Sequence, residues 1–282
     1  DPDGVGAALH YSRLKPYLLP CANDFIIFGK RYQRPEGNPG ENIAYVKSDF
    51  DDSEWRHLNL PHDWAIEGPF NIDYNGSTGK LPYWGIRWYR KTLELSQDDA
   101  GKQIYLDIDG AMSYVSVWCN GQYVGGWPYG YASFRLDLTP YIKAGQKNVL
   151  AIRLDNPDDT SRWYPGSGIY RNVWLVKTSP VHVEQWGTFV RNQQVDSEIA
   201  VMEMGVNIEN HAGEDVQVKL QTSVYLQGKD GRPVGEEVTQ SMTKDIAIKK
   251  DSWSSARFQF KVDKPKLWDI YFKLKAGTRP AI

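Results

Sequence analysis

The 282-residue sequence predicts an all-β protein built from two successive sandwiches, a jelly roll over residues 1–179 and an immunoglobulin-like β-sandwich over residues 180–282. Three observations predict this class. Apolar residues alternate with polar ones along many short segments, turn signals separate these segments, and no long amphipathic helix is evident. The length suits about two domains of ordinary size.

The strands of the first sandwich follow from alternation and from hairpin signals. Ile104, Leu106 and Ile108 alternate with polar neighbours, which is typical of a half-buried strand. Segment 114–119 is the next predicted strand. Asn120-Gly121 follows it and indicates a two-residue hairpin, because both turn positions favour positive φ. Later strands are predicted at 134–138, 149–154 and 172–176.

The second sandwich is predicted from cleaner alternation beyond a junction at Thr178-Ser179-Pro180. Its clearest strands are expected within 200–208, 216–226 and 256–262. An immunoglobulin-like domain usually has about seven strands, and we count about six. This count leaves open whether the domain is complete at its C-terminal end.

Composition and charge argue against several classes of partner. The 33 Lys and Arg residues balance 35 Asp and Glu residues, so we expect neither a nucleic-acid nor a membrane partner. No apolar run could span a bilayer, no signal peptide is recognisable, and the compartment stays open. Two cysteines, Cys21 and Cys119, cannot form a four-ligand zinc site, and the histidines lack ligand spacing. We therefore expect no metal or cofactor, and Cys119 is predicted to be a small buried residue.

Four segments in order carry a resemblance to a known family: 49–64, 85–91, 109–139 and 161–175. Together they resemble the sugar-binding domain of glycoside hydrolase family 2, whose fold is a galactose-binding-like jelly roll. The set is most similar to the β-galactosidases of that family. In the second sandwich, Pro265-Lys266-Leu267-Trp268 resembles the family's Pro-x-x-Trp segment.

The resemblance implies that the two catalytic glutamates lie on a (β/α)₈ barrel. Such a barrel needs about 250 residues of alternating strand and helix, and this chain has no such stretch. We therefore expect the non-catalytic N-terminal portion of an enzyme that hydrolyses terminal β-galactosides, inactive alone. No catalytic residue is assigned. Asp155, Asp158 and Asp159 are interpreted as solvated turn residues rather than as a catalytic pair, and His62 as a structural residue.

Two loops are the candidate substrate-binding segments. Arg162 and Trp163 could present a donor fork and a stacking face to a sugar, although the family has an aspartate where this chain has Ser161-Arg162. The loop 74–84, with Leu81 and Trp84, has the Gly and Ser content of an exposed loop, and such loops often bind ligands. Otherwise these segments would pack against a barrel or another subunit.

Two further alternatives stay open. The aromatic segment 127–131 is either a packing element at the rim of the sandwich or a sugar platform of its own. The whole chain could instead be a free-standing carbohydrate-binding module, since jelly rolls also serve as lectins. A homo-oligomer is the protein partner considered, because an apolar surface meant for a barrel would favour self-association.

Overall fold

The computed structural model describes residues 14–18, 34–74, 79–82, 84–157 and 166–267. Their regular structure consists of twelve β-strands and a few short 3₁₀ turns, so the predicted all-β class is confirmed. None of the described helical segments is long and apolar enough to cross a lipid bilayer. The chain divides into two compact units, Asp1–Ser179 and Pro180–Ile282.

The first unit contains two antiparallel sheets. Its strands are β1 (Gly85–Glu94), β2 (Gln103–Ile108), β3 (Val115–Cys119), β4 (Gln122–Trp127), β5 (Phe134–Asp137), β6 (Lys147–Asn156) and β7 (Val173–Thr178). One sheet has the order β1-β6-β3-β4 and the other has the order β5-β2-β7. The hairpin predicted between β3 and β4 is present, with φ of 51° at Asn120 and 81° at Gly121.

The main core of this unit lies between the two sheets. The alternating apolar residues of β2, β3 and β6 all belong to it, namely Ile104, Leu106, Ile108, Val115, Val117, Leu150, Ile152 and Leu154. Cys119 is part of the same core and is fully buried, as predicted. Burial raises the pKa of its thiol to about 12, so the thiolate that would react is scarcely populated.

A second apolar cluster covers the opposite face of the four-stranded sheet. Trp118, which is fully buried, packs there with Tyr123 and Ala151 from the sheet and with Ile43 and Val46 from the preceding chain. The indole nitrogen of Trp118 donates a hydrogen bond to the carbonyl of residue 39 at 2.8 Å. The strands β3 and β6 are therefore buried on both faces, although no alternation in residues 34–50 predicted the role of those residues.

The edge strand β4 is held by the same preceding chain. Arg34 donates from both terminal nitrogens to the carbonyls of Tyr123 and Val124. The side chain of Asn38 donates to the carbonyl of Gly121 at 2.8 Å and accepts from the amide of Tyr123 at 2.8 Å. These side chains occupy backbone groups that an edge strand would otherwise leave open.

The second unit also contains two antiparallel sheets. Its strands are β8 (Val181–Val195), β9 (Ile199–Asn210), β10 (Val216–Gln227), β11 (Pro233–Ile248) and β12 (Ser252–Asp263). They form the sheets β12-β9-β8 and β10-β11 around a core of Val206, Ile208, Ile246, Ile248, Phe258 and Phe260. The described residues thus contain five of the strands expected here, and residues 268–274 lie outside them.

Candidate functional site

One end of the four-stranded sheet collects the loops that the sequence singled out. β1 begins at Gly85 and β6 ends at Asn156, and these two residues pair directly. Since the strands are antiparallel, the chain before β1 and the chain after β6 leave the sheet side by side. The candidate loop 74–84 and the connection that contains Arg162 and Trp163 therefore start from adjacent positions, although residues 75–78, 83 and 158–165 lie outside the described residues.

Other connections reach the same end. β4 ends at Trp127, opposite the start of β3, so the aromatic segment follows there. In the other sheet, Ile108 at the end of β2 pairs with Val173 at the start of β7. A bridge between Met112 and Gly168 joins the connections of the two sheets. We refer to this end, where β1, β3 and β7 begin and β2, β4 and β6 end, as the loop end.

Buried polar groups fix the backbone of the loop end. Arg153 and Asp155 are 0% and 3% exposed, and their side chains form an ion pair at 3.3 Å. Ser113 donates to the carbonyl of Asp155 at 2.9 Å, and Asn156 donates to the hydroxyl of Ser167 at 2.6 Å. Buried polar groups are costly unless they are paired, so this network supports one arrangement of the strand ends.

The prediction that Asp155 is a solvated turn residue is wrong. It is the penultimate residue of β6, and its carboxylate lies in the interior against the guanidinium of Arg153. The ion pair compensates the buried charge, which gives Asp155 a structural role. Asp158 and Asp159, which carried the same interpretation, lie outside the described residues.

A second set of contacts ties the loop end to the chain that precedes β1. One carboxylate oxygen of Asp63 accepts from the amides of Ala65 at 2.9 Å and Ser167 at 2.8 Å. Gly168 has φ of +118°, and a Cβ there would lie 2.5 Å from the carbonyl oxygen of His62. Glycine is required at this position because the two segments approach so closely.

Leu81 and Trp84 form the interior of their own loop. Leu81 is 8% exposed and packs with Ala65 and Trp84 in a small apolar cluster. The ring of Trp84 is partly buried and meets the ring of Tyr74 edge-on, with centroids 4.8 Å apart. In this arrangement Leu81 supports the loop from beneath and offers little surface to a ligand, whereas Trp84 keeps part of its ring accessible.

Arg162 and Trp163 lie outside the described residues. The structure therefore places the position from which their loop departs, next to β1, but not their side chains. Contact of these two residues with a sugar stays a prediction.

His62 has the hydrogen-bonded structural role that the sequence predicted. Its Nδ1 lies 2.7 Å from the hydroxyl of Tyr89, and its Nε2 lies 3.1 Å from a carboxylate oxygen of Glu67. Arg56 pairs with the same carboxylate at 2.8 Å. Hydrogen bonding from Arg56 lowers the pKa of Glu67, and burial raises the pKa of Tyr89. Each ring nitrogen of His62 is therefore engaged within the fold.

A cavity of about 600 Å³ opens along the edge strands β1 and β7. Segment 55–60 and core residues such as Leu106 and Ile152 line it. Asp52, the carboxylate of its lining, is paired with Arg90 at 2.7 Å. This ion pair neutralises the one carboxylate of the lining. Within the described ranges, no group of three His, Cys, Asp or Glu side chains is arranged to hold a metal ion.

The aromatic segment 127–131, which begins with the last residue of β4, separates into two parts. The ring of Trp127 stacks on Phe134 with centroids 6.0 Å apart and packs against the main core, so it is a packing element of the rim. Tyr129 is 58% exposed and meets Tyr131 edge-on at 5.5 Å. Trp174, which the sequence analysis did not single out, is 54% exposed on β7. Only its alternation with apolar neighbours in β7 signals that it points outward.

The fold and the loop end define the class of this protein: an all-β chain whose first sandwich gathers several of its connections at one end of a sheet. Residues 44–179 match the model for the sugar binding domain of glycosyl hydrolases family 2. The chain belongs to glycoside hydrolase family 2, and the resemblance of its four ordered segments is confirmed.

Relatives and solved structures agree with this assignment. The chain is 43% identical over 234 residues to the β-galactosidase BoGH2A of Bacteroides ovatus, covering 82% of this chain and 27% of that protein. It matches the crystal structure of a family 2 member from Bacteroides cellulosilyticus with a TM-score of 0.70 and 32% identity, covering 80% of this chain and 30% of that one. A β-glucuronidase from Bacteroides uniformis matches with a TM-score of 0.68 and 30% identity, over 80% and 26%. The chain thus spans about a quarter of the length of the curated relatives it matches.

Proposed function

We propose that this chain is the non-catalytic N-terminal portion of a β-galactosidase-like enzyme that hydrolyses terminal β-galactosides. Residues 1–179 would be its jelly-roll sugar-binding domain and residues 180–282 its immunoglobulin-like sandwich. The similarity to a β-galactosidase at 43% identity supports this substrate class. The alternative substrate class is β-glucuronides, since a β-glucuronidase is among the structures it resembles.

The direct pairing of Gly85 with Asn156 is the observation that carries the proposed role. The two candidate loops therefore start from adjacent strand ends, which supports the proposal that Arg162, Trp163 and Trp84 contribute to a single sugar subsite. Arg162 would donate hydrogen bonds to sugar hydroxyls through its planar fork, and Trp163 would offer a stacking face. Leu81 would hold the shape of the loop that presents Trp84.

The assay of the purified chain tests the non-catalytic assignment. Retaining glycosidases need two carboxyl groups about 5–5.5 Å apart, one as acid and one as nucleophile. Asp155 is instead paired with Arg153, and Asp52 with Arg90. We expect no turnover of a chromogenic β-galactoside or β-glucuronide by the chain. Turnover that disappears when an acidic residue within 1–282 is substituted would overturn the proposal.

The subsite is tested in a catalytically competent enzyme that carries this region. Arg162→Ala and Trp163→Ala should each raise KM for a β-galactoside by roughly fivefold or more, because each removes a contact worth about 1 kcal/mol. Trp253→Ala, at an exposed tryptophan of the second unit, should leave KM unchanged. Preference for the glucuronide over the galactoside would move the proposed substrate class to glucuronides.

A further inference from the structure

A fixed tryptophan ring faces outward beside the loop end. Trp174 alternates in β7 with Val173 and Leu175, which pack against the main core, so its side chain points away from the core. Its indole nitrogen donates to a carboxylate oxygen of Asp109 at 3.1 Å. An exposed ring whose N–H is held in this way keeps one orientation and presents its face before any ligand arrives.

A series of contacts leads from Trp174 to neighbouring tyrosine rings. Tyr129 and Tyr131 flank Gly130, whose carbonyl accepts a hydrogen bond from the hydroxyl of Tyr170 at 2.8 Å. Tyr170 and Arg171 lie against Gly110, where a Cβ would come within 2.9 Å of either side chain. Because Gly110 follows Asp109 directly, these contacts link the tyrosines to the residue that accepts the hydrogen bond of Trp174. We call Asp109, Tyr129, Tyr131, Tyr170, Arg171 and Trp174 the aromatic platform.

The aromatic platform also offers free polar groups beside its rings. Arg171 is exposed, and in the described part of the chain its guanidinium has no hydrogen bond or ion pair. Asp109 uses one carboxylate oxygen for Trp174 and keeps the other. A pyranose ring combines an apolar C–H face with a rim of hydroxyl groups. Aromatic faces with a donor fork and an acceptor at their edge match both features of that ring.

We propose that the aromatic platform is a second carbohydrate-binding site, which holds sugar units of an oligosaccharide beyond the one bound by loops 74–84 and 158–165. The sugar stacks on Trp174 and Tyr129, and Arg171 and Asp109 bind its hydroxyls. The inference rests on the proposed function in one respect, that the ligand is a carbohydrate. It differs in the residues involved, since neither Arg162 nor Trp163 belongs to the platform.

Calorimetric titration of the 282-residue chain tests the inference, with β-1,4-galactotetraose, cellotetraose and galactose as probes. We expect at least one tetrasaccharide to bind with a Kd of about 1 mM or tighter, and more tightly than galactose. Trp174→Ala and Tyr129→Ala should each weaken this binding by about fivefold or more. Trp174→Phe keeps a ring and should stay within about threefold of the wild-type affinity. Circular dichroism confirms that each variant is folded.

Two controls separate this inference from the proposed function. Trp253→Ala, which removes an exposed indole from the second unit, should not change binding. The double variant Arg162→Ala/Trp163→Ala should keep tetrasaccharide binding even if it disturbs the proposed subsite. Absence of binding for all three probes overturns the inference. Binding that survives Trp174→Ala and Tyr129→Ala but is lost in the double variant also overturns it, while supporting the subsite.

Discussion

Single residues of the first unit differ in how far the sequence predicts their roles. His62 and Cys119 could be interpreted from the sequence because each has one dominant physical role, hydrogen bonding or burial. Asp155 could not. Alternation along β6 places Arg153 and Asp155 on the outer face, which would meet solvent in a one-sided sheet. That face is covered by the chain before β1, so both charges are buried and pair with each other.

The ion pair of the loop end yields a stability prediction. Asp155→Leu leaves the guanidinium of Arg153 buried without this carboxylate, and should lower the free energy of unfolding by about 3 kcal/mol in urea titration. The double variant Arg153→Met/Asp155→Leu should recover most of that loss, since both charges of the pair are then removed. Asp49→Leu, at an exposed aspartate, should change stability by less than about 0.5 kcal/mol. Equal losses in the single and double variants would contradict the pairing argument.

The carboxylate of Asp99, which lies just before β2, predicts that the fold loses stability in acid. Hydrogen bonds from Lys177 of β7 and from Lys102 hold the pKa of Asp99 down to about 2. Because the pKa is lower in the folded than in the unfolded chain, Asp99 stabilises the fold above about pH 3.8. This contribution is lost as the pH falls toward about 2.

The measurement is the free energy of unfolding against pH for wild type and Asp99→Asn. The variant should be less stable at neutral pH and should show a shallower decline between about pH 4 and pH 2. Asp98→Asn, at the exposed neighbour, should keep the wild-type profile. An unchanged slope for Asp99→Asn would show that the two lysines do not stabilise this carboxylate.

Strands were predictable to the extent that apolar residues facing the core alternated with residues of other types. β2 and β6 met this condition, although both are also largely buried on their other face. β8 and β11 did not, because many of their residues are exposed on both sides and their sequences show little periodicity. The convergence of the loops could not be predicted either. It depends on the register between β1 and β6, which pairs residues far apart in the sequence.

The close approach of Gly168 to the carbonyl of His62 gives a stability prediction for the connection before β7. Gly168→Ala adds a methyl group 2.5 Å from the His62 carbonyl and imposes positive φ on alanine, so it should destabilise the first unit by about 3 kcal/mol in thermal or urea unfolding. Gly101→Ala is the matched control. It has φ of +77° and no heavy atom within 4 Å, so only the backbone term of about 1 kcal/mol should remain. Similar losses for both variants would exclude the steric contribution.

At the scale of the whole molecule, the all-β class was predictable from composition and from the alternation of apolar residues. Which apolar side chains are exposed could be seen only in the structure. Three large apolar side chains between residues 66 and 72 are strongly exposed: Ile66 at 71%, Phe70 at 75% and Ile72 at 81%. Scattered apolar residues are ordinary on protein surfaces, but such a concentration in one short segment usually indicates a contact surface.

We therefore expect the isolated chain to self-associate through this segment. Sedimentation velocity over a concentration series should show reversible association, and Phe70→Ser/Ile72→Ser should reduce it because the variant removes apolar area that association would bury. Val190→Ser, at an exposed valine of the second unit, serves as the control and should leave association unchanged. A monomer at every concentration would contradict the expectation.

The attachment of Arg34 and Asn38 to β4 has a practical consequence for dissecting this protein. A fragment cut at residue 44, where the family match begins, would lose both side chains and the carbonyl that accepts the indole N–H of Trp118. Such a fragment would leave backbone groups unpaired along the edge of the sheet and would uncover Trp118 on its face. Both changes favour association between molecules. Expression of the first sandwich on its own should therefore begin upstream of Arg34, since a shorter fragment would aggregate for reasons unrelated to its ability to bind sugar.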